Sequence, residues 1–264
     1  MEAKKQTDPK EMSFWDHLDD LRSTLFRIAI GIIVCMILVF ANKSFVFDVI
    51  IFGPSSSDFI LYKAMCRLGE LLSMPGLCIE AFESKFQNIT VAGQFFTHIS
   101  TSFWIGLVLS FPWIVYQLWL FVRPALFDNE RATATRAFWF SSTLFYLGVF
   151  IGYILVFPVA FRFLVTYSIS EKVEEIITLI SYIDVLVMLV LGMGIVFQMP
   201  VLILLLSRIG IVDKAFLRKY RRYAIVIILI LVAIVTPTPD PATMLIASIP
   251  LLLLYEFSIY ICKQ

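Results

Sequence analysis

The sequence predicts an all-α integral membrane protein with six transmembrane helices. Hydrophobic residues make up 60% of the 264 residues and aromatic residues 15%, and the mean hydropathy is +0.89. Soluble domains use only about 45–50% apolar residues. Several uncharged stretches also approach or exceed the roughly 20 residues that a helix needs to cross lipid. The six apolar runs cover 24–41, 93–122, 137–161, 183–207, 223–236 and 242–260.

The segment before the first run predicts an interfacial amphipathic helix. Asp8 can cap this helix, Pro9 suits its first position, and Glu11 completes a capping-box spacing. Apolar residues recur at helical spacing on one face, which is typical of a helix lying on a membrane surface. The sequence therefore divides into 1–23, a tail with this helix, and 24–264, the membrane domain. The apolar face comprises Phe14, Trp15, Leu18, Leu21 and Leu25.

The second, third and fourth runs predict long spans, whereas the fifth and sixth predict short helices. Uncharged residues of the fifth run extend only from Tyr223 to Pro239, and prolines end the helix early. At about 1.5 Å per residue, such a helix barely crosses a hydrocarbon core of about 30 Å. A short span thins the bilayer locally or leaves its ends at unusual depth.

The distribution of basic residues predicts the orientation of these spans. An even number of spans puts both termini on one side, and that side would hold 15 of the 21 Lys and Arg residues. Six of the fifteen lie in 208–222, between the fourth and fifth runs. Because cytoplasmic loops carry the excess of positive charge, both termini are predicted to be cytoplasmic. The opposite side then carries a long outer loop, 42–92.

The residues that could hold a metal or a cofactor are few. The chain has two His residues and lacks Cys-x-x-Cys, His-Glu-x-x-His and a phosphate-binding Gly loop. We therefore expect no metal site, no cofactor and no nucleic-acid partner. Cys66 and Cys78 both lie in the outer loop, an oxidising location where a disulfide can form. Cys35 and Cys262 lie in or near membrane helices, where we expect them to be inert.

The connection between the second and third runs is the most informative segment. It places Glu130 and several bases where two membrane helices leave lipid. One interpretation is a solvated acid that pairs with Arg131 or Arg136. The other is a carboxylate that binds a cationic partner at the membrane surface, since a guanidinium matches a carboxylate through two parallel hydrogen bonds.

This connection resembles the first cytoplasmic loop of the TatC family, the multispanning receptor of the twin-arginine protein translocase. Residues 121–131 read F-x-x-P-A-L-F-x-x-E-R, a pattern with no general structural reason to recur. Three further segments are similar to the same family. They are H-L-x-x-L-R at 17–22, Tyr153-Ile-Leu-Val-Phe-Pro-Val-Ala-Phe161, and T-P-x-P-D at 236–240.

The resemblance implies a TatC-like concave bundle in a bacterial-type cytoplasmic (inner) membrane. The implied function is binding of the Arg-Arg signal peptides of folded precursors, followed by assembly of a translocation site. Transport through this site would be driven by the proton-motive force. The implied partners are single-span Tat subunits of the TatA or TatB type, signal peptides and membrane lipid, in homo- and hetero-oligomers. No bond is made or broken, so we expect no catalytic residue.

The resemblance also implies roles for individual residues. Glu130 stands at the family's arginine-binding Glu, Asp20 at a second family Glu, and Arg22 at the family's Arg. Phe121 resembles the loop Phe beside the signal-peptide site. From the residues alone, Asp20 would instead belong to the polar face of an amphipathic helix, and Phe121 would be an interfacial anchor. Pro54 and Asp240 resemble outer-loop residues of the family, and their other reading is as turn residues.

Gln198 is a polar residue inside the fourth run, at a position where many family members carry Glu. A polar side chain in lipid faces either protein or a water-filled cavity, or else it forms a hydrogen bond between helices. In the third run, Gly148-x-x-x-Gly152 permits close helix approach, either within the chain or between subunits.

Two other classes of function compete with the translocase interpretation. A secondary transporter of a small solute would show internal repeats and midplane ionisable residues, which are scarce in this sequence. A membrane enzyme would need clustered His, Asp or Glu at one face, and the two His residues are far apart in the chain.

Overall fold

The computed structural model describes residues 14–56, 59–71, 86–122, 128–168, 170, 176–208, 210–235 and 241–262. Within these ranges the regular secondary structure is helical, and strand-like pairing is confined to an isolated bridge between Gln87 and Thr178. The all-α prediction is therefore confirmed. The α-helices are α1 (Phe14–Ala41), α2 (Ile60–Leu71), α3 (Gly93–Val122), α4 (Asp128–Ile151), α5 (Phe157–Thr166), α6 (Leu179–Val196), α7 (Met199–Arg208), α8 (Lys214–Lys219), α9 (Arg221–Val235) and α10 (Pro241–Ile261).

Four helical segments of the described chain are long and apolar enough to cross a membrane. They are His17–Ala41, Gly93–Val122, Phe138–Thr166 and Leu179–Ser207. The 15 residues of α9 make it only about 22 Å long. Helix α10 has 21 residues and is about 31 Å long, close to the predicted run 242–260, and its apolar part Met244–Tyr260 is shorter than the four candidate spans.

The first helix is continuous through the predicted boundary between 1–23 and 24–264. It runs from Phe14 to Ala41 without a break, so the described part of the amphipathic segment and the first span are one helix. The segment contains no proline, the residue that most often ends or kinks a helix. Asp8, Pro9 and Glu11 lie outside the described residues.

Prolines interrupt the third and fourth spans. Pro158 cannot donate to the carbonyl of Ile154, and the chain makes a π-helical turn, Gly152–Val156, between α4 and α5. Pro200 likewise cannot donate to the carbonyl of Val196, and α6 ends there before α7 begins at Met199. Each span is therefore two helices joined by an irregular turn.

Helices α1 and α3 form a close antiparallel pair. A Cβ atom added to Gly106 would lie 2.8 Å from the backbone nitrogen of Met36, and one added to Gly31 would overlap the indole of Trp113. The indole Nε1 of Trp113 donates to the carbonyl of Arg27 at 3.0 Å. Small residues thus let the two backbones approach, as is common between membrane helices.

The third and fourth spans pack against each other through glycine. A Cβ atom on Gly148 would lie 2.7 Å from the carbonyl oxygen of Met193, and one on Gly152 would lie 3.1 Å from the Cα of Val190. Leu189, on the same helix, is fully buried. The structure therefore supports the interpretation in which Gly148-x-x-x-Gly152 packs against another helix of the same chain.

Three tyrosine hydroxyls hold the segment that follows α1. This cap segment, 45–55, comprises a π-helix, Phe45–Ile51, and a tight turn, Gly53–Ser55, that contains buried Pro54. The hydroxyls donate to its backbone carbonyls from α2 and from the third and fourth spans. The pairs are Tyr153 to Ile50 (2.6 Å), Tyr182 to Ile51 (2.6 Å) and Tyr62 to Pro54 (3.2 Å). Burial raises the pKa of Tyr62 above its ordinary value.

The cysteines differ in state. Cys66, in α2, is disulfide-bonded, whereas Cys35 and Cys262 are free. Cys78 lies outside the described residues, so its pairing with Cys66 stays a prediction.

We predict that Tyr182→Phe destabilises the protein by about 1–3 kcal/mol, because it leaves a buried carbonyl without its donor. The measurement is the unfolding midpoint of the purified protein in detergent. Tyr167→Phe is the matched control, since Tyr167 is 62% exposed. Equal midpoints for Tyr182→Phe and the wild type would show that the cap segment does not depend on this bond.

Candidate functional site

The start of α1 and the end of α3 meet at one end of the molecule. His17 stacks on Phe121 with 4.6 Å between ring centroids and 27° between ring planes. At the other end of the same pair, Phe40 stacks on His98 at 4.0 Å. The two stacks fix the antiparallel register. They also bring the H-L-x-x-L-R segment beside the first residue of the F-x-x-P-A-L segment.

Helix α4 begins at this same end. The rings of Tyr116 and Phe138 lie 6.0 Å apart, and Phe111 stacks on Phe145 at 3.6 Å, so α4 runs antiparallel to α3. Glu130 precedes Phe138 by eight residues, which places its backbone about 12 Å further along the helix axis. We call this end the exit surface, comprising 17–22, the end of α3 at 121–122 and the first turn of α4.

The acids of α1 are exposed on the exit surface. Asp19 and Asp20 are both exposed, and neither forms an ion pair with any described residue. Arg22 is also exposed, and its guanidinium carbon lies 5.7 Å from the ring centroid of Phe26, one turn along the same helix. Because Arg22 lies over an aromatic ring, the carboxylates remain available to a cationic ligand.

Asp20 and Glu130 lie on two helices that both pack against α3. Packed helix axes are about 8–10 Å apart, so the axes of α1 and α4 can be no more than about 20 Å apart. The backbone of Glu130 belongs to the first turn of α4, and its side chain lies outside the described part of the structure. The exit surface thus collects Asp20, Arg22, Phe121 and the backbone of Glu130.

The other predicted residues lie elsewhere. Pro54 is buried in the cap segment, which follows the opposite end of α1. Asp240 lies outside the described residues. Among the described residues, no group of three or more His, Cys, Asp or Glu could hold a metal ion.

Gln198 forms a hydrogen-bonded pair with Ser141 at the break between α6 and α7. The Ser141 hydroxyl donates to Oε1 of Gln198 at 2.6 Å, and Nε2 of Gln198 donates to the carbonyl of Ser141 at 3.1 Å. The structure therefore supports the interpretation in which Gln198 forms a hydrogen bond between helices. The pair joins the third and fourth spans, 57 residues apart in the chain.

Sequence reasoning did not identify two of these residues as contacts. His17 enters only as a letter of the H-L-x-x-L-R pattern, and its stack on Phe121 depends on the register of α1 against α3. Ser141 carries a weak signal, a small polar residue in an apolar run. Its partner depends on the packing of the third span against the fourth.

We predict that Ser141 and Gln198 are energetically coupled. In a double-mutant cycle of Ser141→Ala and Gln198→Leu, the coupling free energy should be about 1 kcal/mol, typical of hydrogen bonds between membrane helices. The measurement is the unfolding free energy of the four proteins in detergent. Thr143→Ala replaces Ser141→Ala in the control cycle, because the exposed Thr143 donates within its own helix to Trp139. Additive effects in the first cycle would contradict the pairing.

Known proteins are similar to this chain in sequence and in fold. Residues 16–250 match the model of the family described as Sec-independent protein translocase protein (TatC). The TatC protein of Blattabacterium sp. subsp. Periplaneta americana (strain BPLAN) is 37% identical over 258 residues, covering 97% of each chain. That of Campylobacter jejuni is 31% identical over 249 residues, covering 94% of this chain and 92% of the relative. A crystal structure of the twin arginine translocase receptor TatC in DDM aligns with a TM-score of 0.68 at 28% identity, covering 94% and 100% of the two chains.

Proposed function

Because the chain belongs to the TatC family of Sec-independent protein translocase proteins, we propose that it is the receptor subunit of a twin-arginine translocase. In this role it binds the Arg-Arg signal peptides of folded precursors and nucleates assembly of the translocation site. The proton-motive force then drives transport. The observation that carries the proposal is the stack of His17 on Phe121, which joins two of the family's segments on one surface.

The chemistry of the exit surface suits a ligand with two adjacent arginines. Asp20 supplies one carboxylate, and Glu130 supplies the second from the first turn of α4. Each carboxylate can bind a guanidinium through two parallel hydrogen bonds. Such a bond becomes stronger where water is partly excluded. Phe121 adds an aromatic face, on which a guanidinium also stacks.

The proposed topology has six spans with both termini in the cytoplasm of a bacterial-type cell, and the protein lies in the inner membrane. Helices α9 and α10 are the fifth and sixth spans. The excess of basic residues on the side of the exit surface supports this orientation. Single-span Tat subunits join the receptor in homo- and hetero-oligomers. The relatives are named as protein translocase proteins, which gives a solute transporter no support.

Gln198 contributes to assembly or transport more than to signal-peptide binding, because it lies away from the exit surface. Its amide uses both a donor and an acceptor toward Ser141. A neutral carboxylic acid can supply both as well, whereas a carboxylate can only accept. We therefore expect Gln198→Glu to remain functional and Gln198→Leu to lose export.

We predict that Glu130→Lys abolishes binding of an Arg-Arg signal peptide without unfolding the protein, because it replaces attraction with repulsion at the site. The measurement is photocrosslinking of the peptide to the protein in membranes. Glu70→Lys is the matched charge reversal, since Glu70 is an exposed acid in α2. Unchanged crosslinking to Glu130→Lys would contradict the assignment of Glu130 as an arginine-binding residue.

We predict that Asp20→Asn weakens export several-fold, whereas Asp20→Glu is tolerated, because charge rather than size decides binding at this position. The measurement is the export rate of a reporter that carries an Arg-Arg signal peptide. Asp19→Asn, at the adjacent exposed acid, is the control. If Asp20→Asn exported the reporter as well as the wild type, the charge argument would be wrong.

A further inference from the structure

A second cluster of charge lies on the loop between the fourth and fifth runs. Five bases fall within 214–222, and Arg218, Lys219 and Arg222 are exposed and form no ion pair with any described residue. The acids beside them are already engaged. Asp213 accepts a hydrogen bond from the backbone N–H of Phe216. Glu256 pairs with Arg221 at 2.6 Å. The surface of this loop is therefore strongly positive.

The loop is held firmly on α10. Leu217 is only 6% exposed, and the hydroxyl of Tyr255 donates to its carbonyl at 2.9 Å. The Arg221–Glu256 ion pair joins the start of α9 to α10, and the ammonium of Lys214 lies 5.8 Å from the ring centroid of Tyr260. Because apolar and polar contacts both fix the backbone, the exposed bases extend from a rigid support.

Three exposed aromatic rings accompany the bases. Phe216 and Tyr220 have centroids 4.5 Å apart, and Tyr220 and Tyr223 have centroids 5.9 Å apart. Tyr223, at the start of α9, is 66% exposed. Aromatic rings with a polar tip are enriched where a membrane helix meets the headgroup region. We call residues 213–223 the basic–aromatic loop.

A surface cavity of about 280 Å³ opens on the basic–aromatic loop. Asp213, Lys214, Ala215 and Arg218 line it. The lining therefore includes two cations and one carboxylate, and the carboxylate accepts a backbone hydrogen bond. Since a water occupies about 30 Å³ of liquid, the cavity has room for a phosphate group.

We propose that the basic–aromatic loop binds the phosphodiester headgroup of an anionic phospholipid. Lys214 and Arg218 contact the phosphate in the cavity, Lys219 and Arg222 attract the charged leaflet, and the three rings lie among the headgroups. Helix α9 favours this placement, because a span of about 22 Å is shorter than the hydrocarbon core and draws headgroups toward its ends. This lipid site consists of residues that lie outside the exit surface, and it does not depend on signal-peptide binding.

The test measures phosphatidylglycerol binding by the full-length protein, purified in an uncharged detergent, by native mass spectrometry. Lys214→Gln combined with Arg218→Gln should weaken binding about 30-fold, since each base near an anionic lipid surface contributes a factor of about five. Lys43→Gln combined with Arg67→Gln is the control, because it removes two exposed bases from other segments. Equal binding by the two double variants would overturn the proposal.

Three further measurements test the source of the phosphate and the selectivity for charge. Soluble glycerol phosphate should not displace the lipid at equal concentration, and displacement would instead indicate a site for free phosphate esters. In the wild type, added salt should weaken phosphatidylglycerol binding, and binding of phosphatidylcholine should stay weak throughout. Salt-independent binding, or equal binding of the two lipids, would contradict a charge-selective site even if the double variant failed to fold.

Discussion

The close contact between α1 and α3 is the constraint on which the rest of the structure depends. Gly31 and Gly106 lie where a Cβ atom would overlap the facing helix. With the backbones this close, the helices cannot slide past each other without a clash. The register that results stacks His17 on Phe121 at one end and Phe40 on His98 at the other. The position of every candidate signal-peptide residue on α1 follows from that register.

The pattern of burial reflects lipid as the surrounding solvent. The buried residues of α3 are small or polar, whereas large apolar side chains such as Phe95 and Phe96 are exposed. Lipid is as apolar as a leucine side chain, so helices gain little by burying large apolar groups against one another. Close packing and hydrogen bonds stabilise the bundle instead, as in the Ser141–Gln198 pair and the tyrosines that hold the cap segment. The same helix therefore presents apolar rings to lipid and polar groups to protein.

Local features of the fold follow from the sequence more readily than its contacts. The second run was predicted to cover 93–122, and α3 has those bounds, because glycine and charged residues delimit a long apolar stretch. The resemblance to the TatC family is confirmed. By contrast, the hydrogen bond from Tyr182 to Ile51 joins residues 131 apart, and no local pattern indicates it. The prolines at 158 and 200 each remove a backbone donor, but no local pattern indicates that one follows a π-helical turn and the other lies at a break between two helices.

The candidate site divides in the same way. The family segments identify Asp20, Phe121 and Glu130 as candidates, whereas the arrangement of these residues on one surface depends on helix packing.

The most direct test of this arrangement is a set of double-mutant cycles in peptide binding. Asp20→Asn and Glu130→Gln are each combined with signal peptides in which either arginine is replaced by lysine, and the dissociation constants are measured. We expect each carboxylate to couple to a different arginine by at least about 1 kcal/mol, since bidentate charged pairs depend on both partners. Additive effects for both carboxylates would contradict a site in which Asp20 and Glu130 bind the two arginines.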